Sequence, residues 1–348
     1  MKVAIVQFAP LPPAPSPSPS PDDADQQPLP SEYNLRRAHD FARQAAAQGA
    51  DLVCFPEYFL SGVVADRSHW HLAQYPHTHA HLASSASHAQ ATHWLSTFQD
   101  LARELRVDIQ VGTIVERAID DEGKELEREV EVVDDETGES RTEKRPVLEN
   151  VATYVDWDGN IVGRYKKRNL WWPEKEYLCE GTDEHQVFDT RFGKVGMLVC
   201  WDLAWSRSFT PLVLQSAALI LAPTYWTALD AGPEGLRHNP RSEEEYLQAL
   251  IRTRASENEC ALVFTNVGAP ASWSPGDPVG NEEGRIGGSG VCVPFKGKIA
   301  SAKGLQEELL LVDVDLSILE DARKVYGVRR DLVHKLKQRN ELPDWVVE

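Results

Sequence analysis

Short apolar runs alternate with longer amphipathic stretches along the chain. Lys2 to Phe8 has the β-branched pattern of a buried strand, and a helical spacing of apolar residues begins at Asn34 and ends near Gly49. The apolar run DLVCFPE follows at once. Ala89 to Leu105 is amphipathic, and VDIQVGTIV after it is strand-like. The first half is therefore predicted to alternate strands and helices.

The second half continues this alternation. ATYVDWDGNIVGRYKK has the pattern of a hairpin with Asp158-Gly159 at its turn. Strand-like runs are KVGMLVC, ALILAPTYW, ALVFTNVG, GSGVCVPF and ELLLVDVDL. FTPLVLQSAA, EEEYLQALIRTRASENE and Ile318 to Val325 predict helices. Many strands joined by helices predict an α/β protein whose sheets are covered by helices.

Two segments interrupt this pattern. Residues 10–30 are rich in proline, serine and aspartate, a composition that favours an extended surface loop. Residues 118–146 form an acidic insertion, in which Asp120 to Arg145 holds twelve acidic and five basic residues. The alternation of charge and valine there predicts a protruding hairpin or a partly disordered insertion. Because nothing between the units resembles a linker, we predict one domain over residues 1–348.

Composition and charge narrow the classes of function. The net charge of −18 disfavours nucleic acid and anionic membranes as partners, since both bind basic surfaces. No apolar run is long enough for a membrane span, and MKVAIVQFAP is too short for a signal peptide. The five cysteines are scattered without a C-x-x-C pair, which indicates reduced thiols. These features predict a cytoplasmic protein without a structural zinc site.

Seven of the eleven histidines lie between His69 and His93. Their HxH spacings permit a metal site, but the surrounding sequence is loop-like and has no acidic partners nearby. Solvated loop and helix-cap positions are the favoured interpretation, so we predict no metal here. Survival of activity in a chelator would exclude a metalloenzyme.

Three apolar stretches end in a reactive side chain, namely Glu57, Cys200 and the pair Lys166 and Lys167. In α/β folds, catalytic groups are commonly found at strand ends. A free thiol is only about 3% ionised at pH 7. A nearby ammonium favours the thiolate, a carboxylate can accept the thiol proton, and a lysine can hold an oxyanion. Such a set needs no cofactor, although buried cysteine is more often simple packing.

These motifs resemble the nitrilase superfamily of carbon–nitrogen hydrolases. DLVCFPEYFLSG resembles its glutamate motif, GRYKKRNL its lysine motif and VCWDLAW its cysteine motif, in the family's order. The resemblance implies a four-layer αββα sandwich with Glu57 as base, Lys167 as the catalytic lysine and Cys200 as nucleophile. It implies that the other four cysteines are packing. It also implies a homodimer or larger homo-oligomer.

The resemblance implies further site residues. A second glutamate often follows the lysine, and the register of WWPEKEYLCEG favours Glu174, with Glu176 as the alternate. The backbone N–H of Trp201 would help to bind the oxyanion. Side chains expected near the substrate are Tyr58, Trp201, Tyr225 and Trp226, although the last two could equally be aromatic core. No metal and no organic cofactor is implied.

The bond that is cut remains open on the sequence alone. In the family that the chain resembles, nitrilases typically carry Trp-Glu after the cysteine, whereas amide and carbamoyl hydrolases more often carry an aspartate there. The resemblance of Cys200-Trp201-Asp202 therefore favours a small amide or N-carbamoyl substrate, and a nitrile is the alternative. A non-catalytic binding module that uses the acidic insertion is a second alternative. Asn169 stands where many relatives have histidine, and Trp205-Ser206-Arg207 where many have F-P-E. Both departures weaken any transfer of substrate identity.

Overall fold

A computed structural model describes residues 1–14, 29–79, 93–133, 139–274 and 284–346. Its first elements are β1 (Lys2–Gln7), α1 (Pro30–Ala47), β2 (Leu52–Cys54), α2 (Trp94–Leu105), β3 (Asp108–Arg117), β4 (Glu127–Val133), β5 (Ser140–Pro146), β6 (Leu148–Val155) and β7 (Ile161–Lys166). There follow β8 (Val187–Thr190), β9 (Gly193–Met197), α3 (Phe209–Leu214), β10 (Leu219–Thr224), α4 (Gly232–His238), α5 (Ser242–Glu257) and β11 (Ala261–Asn266). The last are β12 (Gly290–Val293), β13 (Gly297–Ser301), β14 (Glu308–Asp313), α6 (Ile318–Val325) and α7 (Val328–Gln338).

The principal strands form two six-stranded sheets. The first has the order β14-β1-β2-β3-β6-β7 and the second β13-β12-β11-β10-β9-β8. β1, β2 and β3 are parallel in the first sheet, as are β9, β10 and β11 in the second. The outer strands of both sheets pair antiparallel. Each parallel centre therefore directs several strand ends to one edge.

The two sheets pack face to face with helices outside. Ile5 and Tyr154 of the first sheet share an apolar cluster with Met197 and Leu221 of the second. The opposite face of the first sheet packs on α1 and α2, and the second sheet is covered by α3 and α5. Buried apolar area of this kind is the main stabilising term of such a fold. The predicted αββα sandwich is confirmed.

One helix start differs from the sequence prediction, and a second cannot be compared with it. α1 begins at Pro30 rather than at Asn34, because proline is well suited to the first helical turn. The Asn34 side chain instead binds both backbone groups of Leu11 and the carbonyl of Leu60. The predicted start of the second helix at residue 89 lies outside the described residues. His93 caps α2 by accepting a hydrogen bond from Ser96 N at 3.3 Å.

The strand before the cysteine is shorter than its apolar pattern suggests. β9 ends at Met197, and Cys200 begins a short helical turn, Cys200–Ala204. Cys200 therefore lies beyond the strand end. Similarly, β10 ends at Thr224, so Tyr225 and Trp226 belong to the loop that follows. β8, α4 and α7 have no counterpart in the sequence prediction.

The described part of the acidic insertion forms a hairpin, one of the two forms predicted for it. β4 and β5 pair antiparallel, and residues 134–138 between them lie outside the described residues. Arg128 and Arg145 of the hairpin both donate to the backbone carbonyl of Glu176, at 3.0 and 3.3 Å. The hairpin thereby docks on the turn Trp172–Glu176.

The Pro-rich insertion is only partly described, since residues 15–28 lie outside the described ranges. Its first residues are not a free surface loop, because Pro10 is buried and Leu11 is fixed by Asn34.

Among the described helices, none is long and apolar enough to cross a lipid bilayer. Within the same ranges, no group of three or more histidine, cysteine or acidic side chains is arranged to hold a metal.

Candidate active site

Glu57 lies just beyond β2, at the edge where the parallel strands of the first sheet end. Its side chain is 1% exposed. Oε1 accepts hydrogen bonds from Asn150 Nδ2 and from Lys167 Nζ, each at 2.8 Å. Oε2 accepts one from the backbone N–H of Tyr225 at 2.8 Å. Three donors from three different elements therefore fix this carboxylate.

Lys167 follows β7 directly and is also 1% exposed. Its ammonium lies 2.8 Å from Glu57 Oε1 and 2.7 Å from Glu174 Oε2. The neighbouring Lys166 points elsewhere and pairs with Glu149. The alternation of side chains along a strand explains why only one of the two lysines reaches the interior.

Glu174 lies on the turn Trp172–Glu176 and is buried. Tyr58 donates its hydroxyl to Oε1 at 2.6 Å, and the backbone N–H of Trp171 donates to Oε2 at 2.8 Å. Glu176, on the same turn, is exposed. Of the two glutamates considered for this place, Glu174 is the one that contacts the lysine.

Cys200 occupies a left-handed backbone conformation, with φ of 47°. For a residue other than glycine this conformation costs on the order of 1 kcal/mol, so its surroundings must hold it. Asp202 does so in part: its Oδ2 accepts from Val199 N at 2.9 Å and from the Tyr165 hydroxyl at 2.8 Å. The Cys200 Sγ faces the backbone carbonyl of Tyr225 at 3.7 Å.

Asn169 also stabilises the turn that carries Cys200. Its backbone N–H and its Nδ2 both donate to Asp202 Oδ1, at 2.9 and 2.7 Å. This links the segment after Lys167 to the segment that carries Cys200. Asn169, which stands where many relatives have histidine, therefore has a defined structural contact with Asp202.

Burial dominates the ionisation of these groups. It raises the pKa of Glu57 to about 7; the Glu174 charge adds to this, while Lys167 and the Cys200 thiol oppose it. Burial and the Glu57 charge raise the pKa of Cys200 well above its usual value, despite Lys167. Burial disfavours the Lys167 ammonium, but Glu174 and Glu57 outweigh it and raise its pKa. At rest, Cys200 is therefore a neutral thiol beside a permanent cation.

A cavity of about 450 Å³ opens onto these groups. Glu57, Lys167, Glu174 and Cys200 all line it. This volume lies within the range of small-molecule sites. The four side chains singled out by the cysteine, lysine and glutamate motifs thus line one cavity.

The four predicted aromatic residues, Tyr58, Trp201, Tyr225 and Trp226, also line the cavity. Trp226 is only 1% exposed, and its ring lies 5.5 Å from that of Trp201. Its indole N–H donates to Glu243 Oε2 at 2.6 Å. Trp226 is therefore both a core aromatic residue and a residue that lines the cavity.

Several lining residues were not predicted from the sequence. They are Pro10, Leu11, Pro12, Pro13, Trp171, Tyr177, Asp230 and Arg285. For Asp230, a carboxylate soon after the strand-like run ALILAPTYW was an available signal. Asn150, a polar residue within the otherwise apolar β6, was another. The Pro-rich segment gave no such signal, since composition does not reveal which part of the protein it packs against.

The remaining cysteines lie away from this cavity. Cys54, Cys260 and Cys292 are buried, and Cys179 is half-buried. Burial raises the pKa of Cys260 to about 12 and that of Cys292 to about 11. Buried neutral thiols without a nearby base are poor nucleophiles.

Comparison with known proteins identifies the family. The family model described as carbon-nitrogen hydrolase matches residues 2–324. The chain belongs to the carbon–nitrogen hydrolase family. This confirms the resemblance to the nitrilase superfamily inferred from the three motifs.

Individual relatives of this chain are distant. An N-carbamoylputrescine amidase of Arabidopsis thaliana is 27% identical over 187 residues, which span 52% of this chain and 60% of that relative. The chain thus matches somewhat over half the length of that curated protein. A nitrilase of Pyrococcus abyssi is 25% identical over 85% of this chain and 89% of its own length.

A solved structure supports the fold. An amidase from a Nesterenkonia species superposes with a TM-score of 0.59 at 20% identity, covering 95% of this chain and 96% of its own. That structure is described as carrying the acetamide moiety of fluoroacetamide covalently added at its active-site cysteine. At this identity the likeness concerns the fold alone.

Proposed function

We propose that the protein is a thiol-dependent hydrolase that cleaves a non-peptide C–N bond of a small amide or N-carbamoyl compound and releases ammonia. One observation carries this proposal. A buried Glu57–Lys167–Glu174 ion network and Cys200, held in a strained turn, line the same cavity. Strain and buried charge of this kind concentrate at functional sites.

In the first step, the Cys200 Sγ attacks the carbonyl carbon of the substrate. Because the resting thiol is neutral, it must lose its proton as the bond forms. Glu57 has a pKa of about 7, which suits a base that accepts a proton and later returns it near neutral pH. A tetrahedral intermediate results, with negative charge on the former carbonyl oxygen.

Lys167 serves as the cation for that oxyanion. Its ammonium is fixed between Glu57 and Glu174 before substrate binds, so little reorganisation is needed during the reaction. The backbone N–H of Trp201, next to the nucleophile, is the second donor in this proposal. One such hydrogen-bond donor commonly lowers the activation free energy by about 3–4 kcal/mol.

Collapse of the intermediate then breaks the C–N bond. Glu57 gives its proton to the leaving nitrogen and ammonia departs. An amide leaves its acyl group on Cys200 as a thioester, and an N-carbamoyl compound leaves an alkylcarbamoyl group as an S-thiocarbamate. Water enters, Glu57 accepts a proton from it, and the hydroxide adds to the carbonyl carbon bound to sulfur. Breakdown of this second intermediate returns the proton to sulfur and frees a carboxylic acid, or a carbamic acid that decomposes to an amine and carbon dioxide.

An amide or N-carbamoyl substrate agrees with the names of the distant relatives, among them the Arabidopsis N-carbamoylputrescine amidase. A nitrile is the second candidate, because the relative named nitrilase aligns over 85% of this chain. A nitrile would pass through a thioimidate on Cys200 and consume two waters to yield acid and ammonia. Hydrolysis of either substrate class would use Glu57, Lys167 and Cys200.

The test is ammonia release from matched panels of amides, N-carbamoyl compounds and nitriles, with Cys200→Ala beside the wild type. Release confined to amides or N-carbamoyl compounds and lost in Cys200→Ala is the expected result. A higher kcat/KM on nitriles would favour the second candidate.

Cys292→Ala is the matched control, since Cys292 is likewise buried but lies on β12, away from the cavity. It should retain ammonia release. No release from any panel by the wild type, or release that persists in Cys200→Ala, would contradict the proposal.

A further inference from the structure

The first residues of the Pro-rich insertion form part of the cavity wall. Pro10, Leu11, Pro12 and Pro13 all line the cavity that also holds Cys200. Leu11 is a large apolar side chain, yet 41% of its surface is exposed. Exposed apolar surface in a cleft is typical of ligand-binding sites, because an apolar ligand that covers it removes that surface from water. This wall is therefore a candidate contact surface for the substrate.

Residues 10–13, all of which the structure describes, offer no free hydrogen-bond donor. Proline has no backbone N–H, so three of the four residues cannot donate. The remaining N–H, that of Leu11, donates to Asn34 Oδ1 at 2.9 Å, and the Leu11 carbonyl accepts from Asn34 Nδ2 at 3.1 Å. A wall without donors cannot replace the water that a carboxylate or hydroxyl of a ligand loses on burial. The segment therefore favours an aliphatic group.

Two further contacts hold the segment in place. Arg37 on α1 donates to the carbonyl of Ala9, directly before the segment, at 2.9 Å. Gly62 has a φ of +67°, and a Cβ added there would lie 2.7 Å from Pro13 Cδ, so glycine is what allows Pro13 to approach so closely. The wall is thus formed before a ligand binds, which lowers the entropy cost of binding to it.

The turn against which Pro13 packs also carries two site residues. Glu57 and Tyr58 begin this turn, and the backbone N–H of Gly62 donates to the Tyr58 carbonyl at 2.8 Å. The Tyr58 hydroxyl in turn donates to Glu174. One short stretch of chain therefore contacts both the buried ion network and the Pro-rich wall.

Two further charged residues line the cavity, and both bind other parts of the protein. Asp230 accepts the backbone N–H and the hydroxyl of Thr227, each at 2.9 Å. Arg285 donates to the Gly268 carbonyl at 3.0 Å and to the Tyr225 hydroxyl at 3.1 Å. These bonds are made outside residues 10–13, so they leave the character of that wall apolar.

We propose that residues 10–13 are the part of the substrate site that binds an apolar chain, and that Leu11 is the specificity residue for this chain. The substrate then carries an unbranched alkyl group, which lies on Leu11 while the reacting carbon meets Cys200. The inference rests on the proposed function and deepens it. The segment takes part in no proton transfer and forms no covalent bond, since it acts by removing the alkyl group from water.

The test measures kcat/KM for unbranched primary amides from propanamide to hexanamide, and for alkylureas from ethylurea to pentylurea. Nitriles of the same chain lengths cover the second candidate substrate. The readout is the rise of kcat/KM with chain length, in the wild type and in each variant. Because every member of a series is measured on one preparation, this rise does not depend on the folded fraction. Loss of stability in a variant therefore cannot imitate the result.

We expect wild-type kcat/KM to rise about fourfold with each methylene, and so about sixtyfold from propanamide to hexanamide, as burial of an apolar chain predicts. Leu11→Ala removes part of the wall, so this rise should become about threefold to tenfold smaller. Leu126→Ala is the matched control, because Leu126 is likewise 41% exposed but does not line the cavity. It should keep the wild-type rise.

Gly62→Ala moves the wall without removing an apolar side chain. The added Cβ forces Pro13 away from the turn, so the rise with chain length should again become smaller. Gly297→Ala is its control: Gly297 has the same φ of +67°, but a Cβ added there meets nothing within 4 Å. Because both variants carry the same backbone strain, a smaller rise in Gly62→Ala alone reports the displacement of Pro13.

A wild-type kcat/KM that does not increase with chain length, in a series that does release ammonia, would overturn the inference and leave the proposed function standing. A rise that stays unchanged in both Leu11→Ala and Gly62→Ala would also overturn it, because the chain would then bind elsewhere in the cavity. Hydrolysis of no amide, urea or nitrile by the wild type would overturn the proposed function, and the inference with it.

Discussion

Asn150 Nδ2 donates to Glu57 Oε1 at 2.8 Å, and that same oxygen accepts the Lys167 ammonium. Asn150 lies on β6, next to the strand that leads to Lys167, and is 1% exposed. Its backbone carbonyl also accepts the N–H of Lys167 at 2.9 Å. One residue therefore positions both the proposed base and the proposed cation.

Replacing Asn150 with alanine should weaken catalysis through Glu57. Loss of a donor to the carboxylate favours its neutral form, so the pKa of Glu57 rises and less base is ionised at neutral pH. We expect kcat/KM at pH 7 to fall by about tenfold to a hundredfold, and the acid limb of the pH profile to move to higher pH. Steady-state kinetics across pH measure both effects.

Asn258→Ala is a suitable control for this variant. Asn258 Nδ2 donates to the Arg254 carbonyl at 2.8 Å, at the end of α5. It should leave the pH profile where it is. An Asn150→Ala enzyme with lower activity but an unmoved acid limb would reduce Asn150 to a structural role.

The pH dependence of the wild type follows from Glu57. Burial raises its pKa from an ordinary value of 4.5 to about 7. Below that pH the group already carries a proton and cannot accept one from the thiol. We therefore expect kcat/KM to rise with pH through about 7 and to level off above it. An uncharged amide such as hexanamide excludes titration of the substrate.

The same shift has the opposite sign for stability. A folded pKa above the unfolded one favours the protonated folded form, so this contribution is full below pH 4.5 and lost as pH rises through about 7. The rise in pH that increases kcat/KM therefore removes this contribution to stability.

For the pH profile of kcat/KM, an acid limb centred near pH 4.5 would contradict the proposed role of Glu57.

Asp202 is predicted to stabilise the turn that carries Cys200. Asp202→Ala removes the acceptor of Val199 N–H, the Tyr165 hydroxyl and the Asn169 side chain. Buried donors left without partners should lower the free energy of unfolding by about 2–4 kcal/mol. Urea unfolding monitored by tryptophan fluorescence measures this loss.

Asp183→Ala serves for comparison, since Asp183 is exposed. Its effect should stay within about 0.5 kcal/mol. If Asp202→Ala were equally mild, the hydrogen bonds to Asp202 would not be what holds the Cys200 turn.

The sequence was informative wherever a local pattern determines a local structure. The apolar runs predicted most strands of the two sheets, β8 being an exception, and their ends pointed to Glu57, Lys167 and Cys200. The choice of Lys167 over Lys166 depended on the resemblance to the family's lysine motif, although strand alternation gives the same answer. Assignment of these residues as catalytic stays a prediction, as do the single domain and the homo-oligomer.

Features set by tertiary contact could not be predicted in this way. β9 ends at Met197, and the turn after it is held by the Asp202 side chain, which accepts the backbone N–H of Val199. Leu11 reaches the cavity because Asn34, far along the chain, binds its backbone. None of these relationships is periodic, so no hydropathy pattern reveals them.

Covalent catalysis by Cys200 is tested most directly by trapping the acyl-enzyme. Wild type turning over an amide or urea is quenched in acid, and its mass is measured intact and after proteolysis, with Cys200→Ala alongside. We expect a mass gain equal to the acyl or carbamoyl group on the peptide that holds Cys200, and none in the variant. Steady ammonia release by Cys200→Ala, with no adduct on the wild-type peptide, would contradict a thioester at Cys200.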